Sequence, residues 1–350
     1  MYKSNLLPTV PPSSLISLQE AYMQTQILIS SVELNIFTYI AQGHVTVAAL
    51  AIAIGCTERA ARILVDAVAA LGLIEKRGQQ YFLTEESTIY LVKGSSTYAG
   101  DAVLLQEKMR ERIGHLTEVI LTGEPLARTN ELREAEVFFP HLASLLFKPH
   151  YPVAKAVATF LEIGQAKCGS RVLDIASGSG VWSIAIAERD PSIRVTAHDF
   201  PLIIQQVTKR FVEEYGLSQQ YDFLEGDLNK VNFGEEHFDI IILGHILHSE
   251  GEIHSRHLLK KVNLALQSTG VVIIAEKLLD ETLISPLSSA LFAVNMLVNT
   301  QHGDTFTLSR ISSWLREAGF ESIQTVVSPL TRSPIIVATK TTQQEDTHHG

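Results

Sequence analysis

The chain has 350 residues, 38 acidic against 28 basic side chains, and a formal net charge of −10. That length accommodates one large or two medium domains with an ample core. The acidic balance argues against a nucleic-acid backbone as main partner, because such binders carry a basic face. Two cysteines far apart in sequence, Cys56 and Cys168, fit a reducing cytoplasm without a disulfide framework. The opening MYKSNLLPTVPPSS lacks the order of a secretion signal, and no apolar run of about 18 residues occurs, so a cytoplasmic protein without a membrane span is expected.

Residues 1 to 13 are rich in Pro and Ser and read as loose. From Leu15 to Ala41 apolar residues recur at helical spacing (Leu18, Tyr22, Ile27, Leu34, Ile40), more densely than one buried stripe requires. Such a helix serves either its own core or a partner chain as well. Next, Val47–Ile54 predicts a short helix turned by Gly55, and Thr57-Glu58 opens a second one through Ala70, closed by Gly72. Two short strands, 73–76 and 80–83, flank Gly78. Helix, turn, helix and hairpin make a winged-helix order, whose sharp reading is DNA binding. The second helix offers only Arg59 and Arg62 as bases beside Glu58 and Asp66, which favours a scaffold or dimerisation role.

Residues 88–165 read as helical with breaks at Gly94, Gly100, Gly123–Pro125 and Lys148-Pro149. Phe138, Phe139, Phe147 and Tyr151 cluster there, as pocket lining or as core. The organising stretch follows: RVLDIASGSGVWSIAIAERDPSIRVTAHDFP, residues 171–201. A short apolar run predicts a buried parallel strand. Ser177-Gly178-Ser179-Gly180 lets the backbone turn tightly and approach a ligand. A helix from Trp182 to Ala187 stops at Asp190-Pro191, and a second strand ends on Asp199. That layout suits a nucleoside, with the tip carboxylate accepting from ribose hydroxyls. An ordinary strand–turn–helix connection has the same outline. Asp174 stands before the glycines and the third glycine of a dinucleotide loop is missing; an acid there repels a pyrophosphate and favours an ammonium group.

Strands and helices alternate onward. Tyr221–Leu228 ends in Gly226-Asp227, where a carboxylate can accept from an adenine amino group and Leu228 can cover the ring. FDIIIL (238–243) precedes His245 and His248, and VVIIAE ends at Glu276. A helix over 287–298, a loop QHGDTFT, a helix ending at Ala318-Gly319 and two last strands complete an α/β chain with a doubly wound, mainly parallel sheet. Asp174, Asp199, Asp227, His248 and Glu276 all fall at strand ends, where ligands of such sheets bind. His248 as a proton acceptor, with Glu276 fixing its tautomer, suits methyl transfer to a hydroxyl.

The loop DIASGSG resembles the D/E-x-G-x-G-x-G motif of class I S-adenosylmethionine-dependent methyltransferases, with Ala176 in place of the first glycine. Together with AHDFP, EGDL, ILHSEGE, IIAEKLL and GDTFT…WLREAGF behind a winged-helix-like region, it resembles the dimeric small-molecule O-methyltransferases of plant phenolic and bacterial polyketide pathways. The resemblance implies a Rossmann-like domain at 166–340, a dimerising domain at 1–100, a helical pocket region at 101–165 and a disordered tail at 341–350. In that family the N-terminal domain also closes the partner's substrate pocket. It implies S-adenosylmethionine as cofactor, held by Asp174, Ala176, Gly178, Gly180, Asp199, Phe200, Asp227, Leu228 and Gly244. His248 is implied as general base with Glu276 behind it, and Phe147, Tyr151, Met296 and Asn299 as substrate pocket, with no metal. A homodimer acting on an aromatic or polyketide-like acceptor is expected, with neither nucleic acid nor membrane as partner. Ser249, Gly244 and Thr305 depart from the family pattern, and the nearby Trp is missing. Carbon methylation, metal-assisted through His245, His248 and His302, a hydroxylase or pericyclic role for the same cofactor, and a winged-helix regulator are the alternatives.

Overall fold

The computed structural model describes residues 13–95, 97–129, 131–165, 167–327 and 333–340, so the expectations for residues 1–12 and for the tail after Lys340 lie outside the described residues. The chain divides into two compact units, Met1–Glu111 and Arg112–Gly350.

In the first unit α1 (Ser13–Glu33) and α2 (Ile36–Ala41) replace the single helix expected over 15–41. Asn35 breaks it at φ 54°, a left-handed conformation that Asn tolerates through local hydrogen bonding. Helices α3 (Val47–Ile54) and α4 (Glu58–Ala70) begin where expected, because Thr46 and Thr57 accept the amides of Ala49 and Ala60, each cap contributing about 1 kcal/mol. Strands β1 (Ile74–Arg77) and β2 (Gln80–Leu83) pair antiparallel, and α5 (Glu85–Tyr90) follows behind a capping box at Thr84. Phe37, Leu50, Val65, Val68 and Tyr81 share the core. Asp66 on α4 accepts from Arg62 (3.3 Å), from Lys76 on the hairpin (2.5 Å) and from Tyr81 (2.7 Å). The wing is thereby tied to the second helix, and Arg62 is engaged within its own domain. Helix α1 leaves Leu18 74% and Tyr22 63% exposed.

The chain passes into the second unit along α6 (Gly100–Ile113), followed by α7 (Leu116–Thr122) and α8 (Leu132–Phe160). The break expected at Lys148-Pro149 is absent: α8 continues through Pro140, Pro149 and Pro152. A helix-interior proline removes one backbone bond; α8 keeps its course because it packs along α9 (Val181–Ala187) and buries Phe147, Val153, Ala154 and Val157 in the shared core.

The sheet is built from β3 (Arg171–Ile175), β4 (Arg194–Asp199), β5 (Tyr221–Glu225), β6 (Phe238–Gly244) and β7 (Leu266–Ala275), joined by β10 (Phe320–Val326) and β11 (Ile335–Lys340). A separate short pair, β8 (Leu278–Leu279) with β9 (Phe306–Thr307), runs parallel. The spatial order is β10-β11-β7-β6-β3-β4-β5, parallel from β7 to β5 and antiparallel at β11 and β10. Alternation along the strands divides the core: Val172, Ile240, Ile242 and Ile273 face one side, Leu173, Ile241, Leu243 and Ile274 the other. Between β4 and β5 come α10 (Pro201–Ile203), a π turn (Ile204–Thr208) and α11 (Lys209–Glu214). Helices α12 (Leu247–Ala265), α13 (Leu287–Asn299) and α14 (Leu308–Glu317) complete the unit. Strand β3 pairs with β4 on one side and β6 on the other, so the chain reverses its winding direction there. The carboxyl end of β3 is therefore the crevice where open α/β sheets bind ligands. Among the described residues no helix is long and apolar enough to cross a membrane.

Candidate active site

The glycine loop leaves β3 through Ala176 at φ 53° and turns at Gly178 (54°) and Gly180 (70°). A left-handed alanine costs roughly 1–2 kcal/mol, and surrounding bonds hold it: Ser177 N–H donates to His198 O (2.9 Å), Gly180 N–H to Ser177 O (2.7 Å), and Thr208 Oγ1 to Gly178 O (2.7 Å). Asp199, at the tip of β4, accepts Gly178 N–H on Oδ2 and Phe200 N–H on Oδ1, both at 2.8 Å. Burial pushes this carboxyl up to about 6, against the pull of those two amides. Asp174, 1% exposed beneath the loop, is pushed up to about 7 by burial, opposed by hydrogen bonds from Ser183. Asp227, past the end of β5, accepts Asn229 N–H at 2.9 Å and faces Lys230 Nζ at 3.0 Å. Leu228 is buried beside it, its carbonyl held by Lys261 Nζ at 2.7 Å.

These groups suit an adenosyl sulfonium. Each oxygen of Asp199 has one amide donor and a further lone pair for a ribose hydroxyl. The loop is flanked by the carboxylates of Asp174 and Asp199, which favour a cationic amino-acid tail over a pyrophosphate. Gly244, at the end of β6, lies against the Trp182 ring. A Cβ there would sit 2.7 Å from the Trp182 ring, so this glycine makes room for the indole.

Beyond β6, His245 stands at φ 64° and donates its N–H to Ala275 O at 2.8 Å. The turn carries His248 onto the first turn of α12. His248 Nδ1–H donates to Glu276 Oε2 at 2.7 Å, because an ionised carboxylate only accepts. Glu276 Oε1 accepts the backbone N–H of Leu247 (2.8 Å) and of His248 (3.3 Å). The side chains are 12% and 3% exposed, so the pair lies out of bulk water with the second imidazole nitrogen not used by this bond. Gly251 kinks α12 at φ 72°; a Cβ there would fall 2.1 Å from His302 O, so the turn and the 300–304 loop lie against each other. Asp304 N–H also donates to His248 O at 2.9 Å. Thr305 is buried, with its hydroxyl on Ser289 O.

Aromatic rings surround the pair. Phe292 of α13 meets His248 edge to face at 4.9 Å, and Lys277 lies 4.0 Å over the Phe292 ring. His150 of α8 stacks on His245 at 4.7 Å, with Trp182 6.1 Å from His150. Burial first, then the Lys277 charge, lowers His150 to about 4; burial and the neighbouring imidazoles hold His245 well below the usual histidine range. Ligand atoms of His245, His248 and Glu276 lie within 4.8 Å of one another. His302, which the metal-assisted alternative groups with the first two, sets its ring against His254 at 5.6 Å.

Two of the expected pocket residues, Phe147 and Tyr151, pack against α11 and the end of α9. Phe147 is buried and stacks on Phe211 at 4.3 Å; Tyr151 stacks on Phe147 and donates its hydroxyl to Glu188 at 2.5 Å. Phe147 and Tyr151 share α8 with His150, whose ring, one position from Tyr151, lies against His245. Met296 is buried on α13, the helix of Phe292. Asn299 is 2% exposed and fully engaged: Oδ1 accepts Arg112 Nη1 at 2.6 Å, and Nδ2 donates to Asn295 O at 2.9 Å. Sequence reasoning missed His150, Phe292 and Lys277. Lys277 was signalled by its place beside Glu276, the other two only by their helices.

Residues 154–321 match the O-methyltransferase domain, and residues 16–93 match the O-methyltransferase dimerisation domain. The chain is 29% identical over 325 residues to 3-hydroxy-5-methyl-1-naphthoate 3-O-methyltransferase of Streptomyces sahachiroi, covering 90% of this chain and 91% of that one. A solved structure from Nostoc punctiforme, described as a candidate O-methyltransferase, superposes with a TM-score of 0.87 at 27% identity, over 95% of this chain and 100% of that one. Human N-acetylserotonin methyltransferase in complex with S-adenosylmethionine gives a TM-score of 0.80 at 25% identity, over 96% and 100%. The chain belongs to the O-methyltransferase family, and it is an enzyme that transfers a methyl group from S-adenosylmethionine to oxygen.

Proposed function

We propose that the protein methylates a hydroxyl of an aromatic or polyketide-like small molecule, with His248 as general base and Glu276 as the group that orients it, in a cytoplasmic homodimer formed through the N-terminal domain. The observation that carries this reading is the 2.7 Å bond from His248 Nδ1 to a carboxylate clamped by two backbone amides. Bound S-adenosylmethionine supplies a methyl group already activated for in-line displacement. The chain therefore has to hold the reactants and remove a proton. Asp199 would hold the ribose hydroxyls, Asp227 and Leu228 the adenine, and the loop from Asp174 to Gly180 the methionine end. With its proton on Nδ1, His248 presents Nε2 to the acceptor hydroxyl and takes its proton. Glu276 then faces the imidazolium and offsets its charge.

The aromatic walls at Phe292, Trp182, His150 and His245 favour a flat acceptor. The relatives act on a hydroxynaphthoate and on acetylserotonin, both aromatic, which supports the same class here. Exposed apolar side chains on α1, Leu18 and Tyr22, support a second copy as partner of the dimerisation domain. The test is His248→Ala against hydroxynaphthoates and acetylserotonin, followed by product mass and S-adenosylhomocysteine release. Turnover should fall by about a hundredfold or more while S-adenosylhomocysteine still binds. Unchanged turnover removes the base assignment.

A further inference from the structure

Beneath the glycine loop lies a polar cluster inside an otherwise apolar core. Ser183, 0% exposed in α9, donates its hydroxyl to Asp174 Oδ2 at 2.5 Å. The same hydroxyl lies 3.2 Å from Gly180 O, so one proton has two possible acceptors. Tyr221, at the start of β5, donates its own hydroxyl to Ser183 Oγ at 3.1 Å, which leaves the serine proton for one of those two acceptors. Burial keeps this phenol protonated, its pKa raised well above the usual range, so it acts as a donor throughout the working pH range. A hydroxyl that receives one hydrogen bond donates a stronger one onward, and a carboxylate is the better acceptor. The other charges acting on this cluster are Asp199 on β4, which acts on Asp174, and Glu188 after α9, which acts on Tyr221; both are acidic. The pull toward the anionic form of Asp174 thus comes from Ser183, through its hydroxyl and its backbone N–H.

We propose that Tyr221 and Ser183 form a buried two-hydroxyl relay that positions Asp174, as a carboxylate, for the amino-acid end of the cofactor. This rests on the role of Asp174 given under the proposed function. Ser183 and Tyr221 are positioning residues and touch no ligand themselves. The relay also explains why hydroxyls occupy sites that Ala and Phe would fill in a purely apolar core.

Titration calorimetry on the full chain with two ligands tests this. S-adenosylhomocysteine carries the amino-acid tail; 5′-methylthioadenosine has the same nucleoside without it. Ser183→Ala should weaken S-adenosylhomocysteine about tenfold or more, while 5′-methylthioadenosine stays within about twofold. Ser183→Thr, which restores the hydroxyl, should recover the tail-dependent affinity. Tyr221→Phe should shift the ratio of the two affinities in the same direction by about threefold, and carries the comparison if Ser183→Ala does not fold. Equal weakening of both ligands, or an unchanged ratio, overturns the relay. A wild-type chain that binds neither ligand overturns the cofactor site itself, a different result from the other two.

Discussion

Replacing Glu276 with Gln separates the orienting role of this residue from its structural one. The amide has the shape of the carboxylate. Its oxygen can keep the two backbone donors, Leu247 N–H at 2.8 Å and His248 N–H at 3.3 Å, which leaves the amino group facing His248 Nδ1. An amino group only donates, so the imidazole must present a bare Nδ1 and carry its proton on Nε2. The nitrogen that should receive the acceptor's proton is then blocked, and the counter-charge for an imidazolium is gone. General-base assistance contributes about 10²–10⁴ in rate, or roughly 3–5 kcal/mol of barrier. The loss of stability should be small, about 1 kcal/mol, because both backbone bonds persist in the buried site. The assay is S-adenosylhomocysteine production with a hydroxynaphthoate acceptor, with S-adenosylhomocysteine affinity and melting temperature measured alongside. We expect kcat to fall at least about a hundredfold, with cofactor-product affinity within about twofold of wild type. A variant within about threefold of the wild-type rate refutes the tautomer argument.

Burial raises Asp199 to about 6, and in the proposed role it accepts from ribose as a carboxylate. Affinity for S-adenosylhomocysteine should therefore fall as pH drops through about 7, where Asp174 protonates, and more steeply through about 6, and Asp199→Asn should weaken binding and leave only the upper limb; calorimetry from pH 5 to 8 checks both. His198 is 1% exposed, and burial first, then the Lys261 charge, lowers it to about 4 from 6.5. Its folded pKa lies below the unfolded one, so no penalty exists above about 6.5 and stability is lost as pH falls from there toward 4. That penalty is about 2 kcal/mol at pH 5, and His198→Phe should remove it, seen as a smaller drop in melting temperature between pH 7.5 and pH 5 than in wild type. Gly244→Ala places a methyl 2.7 Å from the Trp182 ring. Calorimetry should show a loss of about 1–3 kcal/mol together with a change in tryptophan fluorescence; an unchanged Tm means that the indole moves freely.

The parts of the site that lie on β3, β4 and β7 were legible in the sequence because strand ends are marked locally. An apolar run stops, a turn residue follows, and the acid at the junction has little choice of position, as with Asp174, Asp199 and Glu276. The winged-helix order was legible for a similar reason, since Thr57 caps α4 by a bond three residues long and Gly55, Gly72 and Gly78 turn the chain at positive φ. Pocket walls were less legible. Phe147 and His150 belong to one helix, and the register of α8 against α9 decides that Phe147 goes into the Phe211 stack while His150 meets His245. Nothing within α8 encodes that choice.

From sequence alone followed a helical, winged-helix-like region ahead of a mainly parallel sheet, the cofactor, and the placing of His248 and Glu276 beyond successive strands, through periodicity, local turn chemistry and a motif order spread along the chain. Tertiary structure alone decided which oxygen of Glu276 faces the imidazole, that Gly244 yields its space to Trp182, and that Tyr221 meets Ser183 beneath the loop. Those contacts join residues distant along the chain, and their geometry is set by how whole strands and helices register against each other, to which no short stretch of sequence has access.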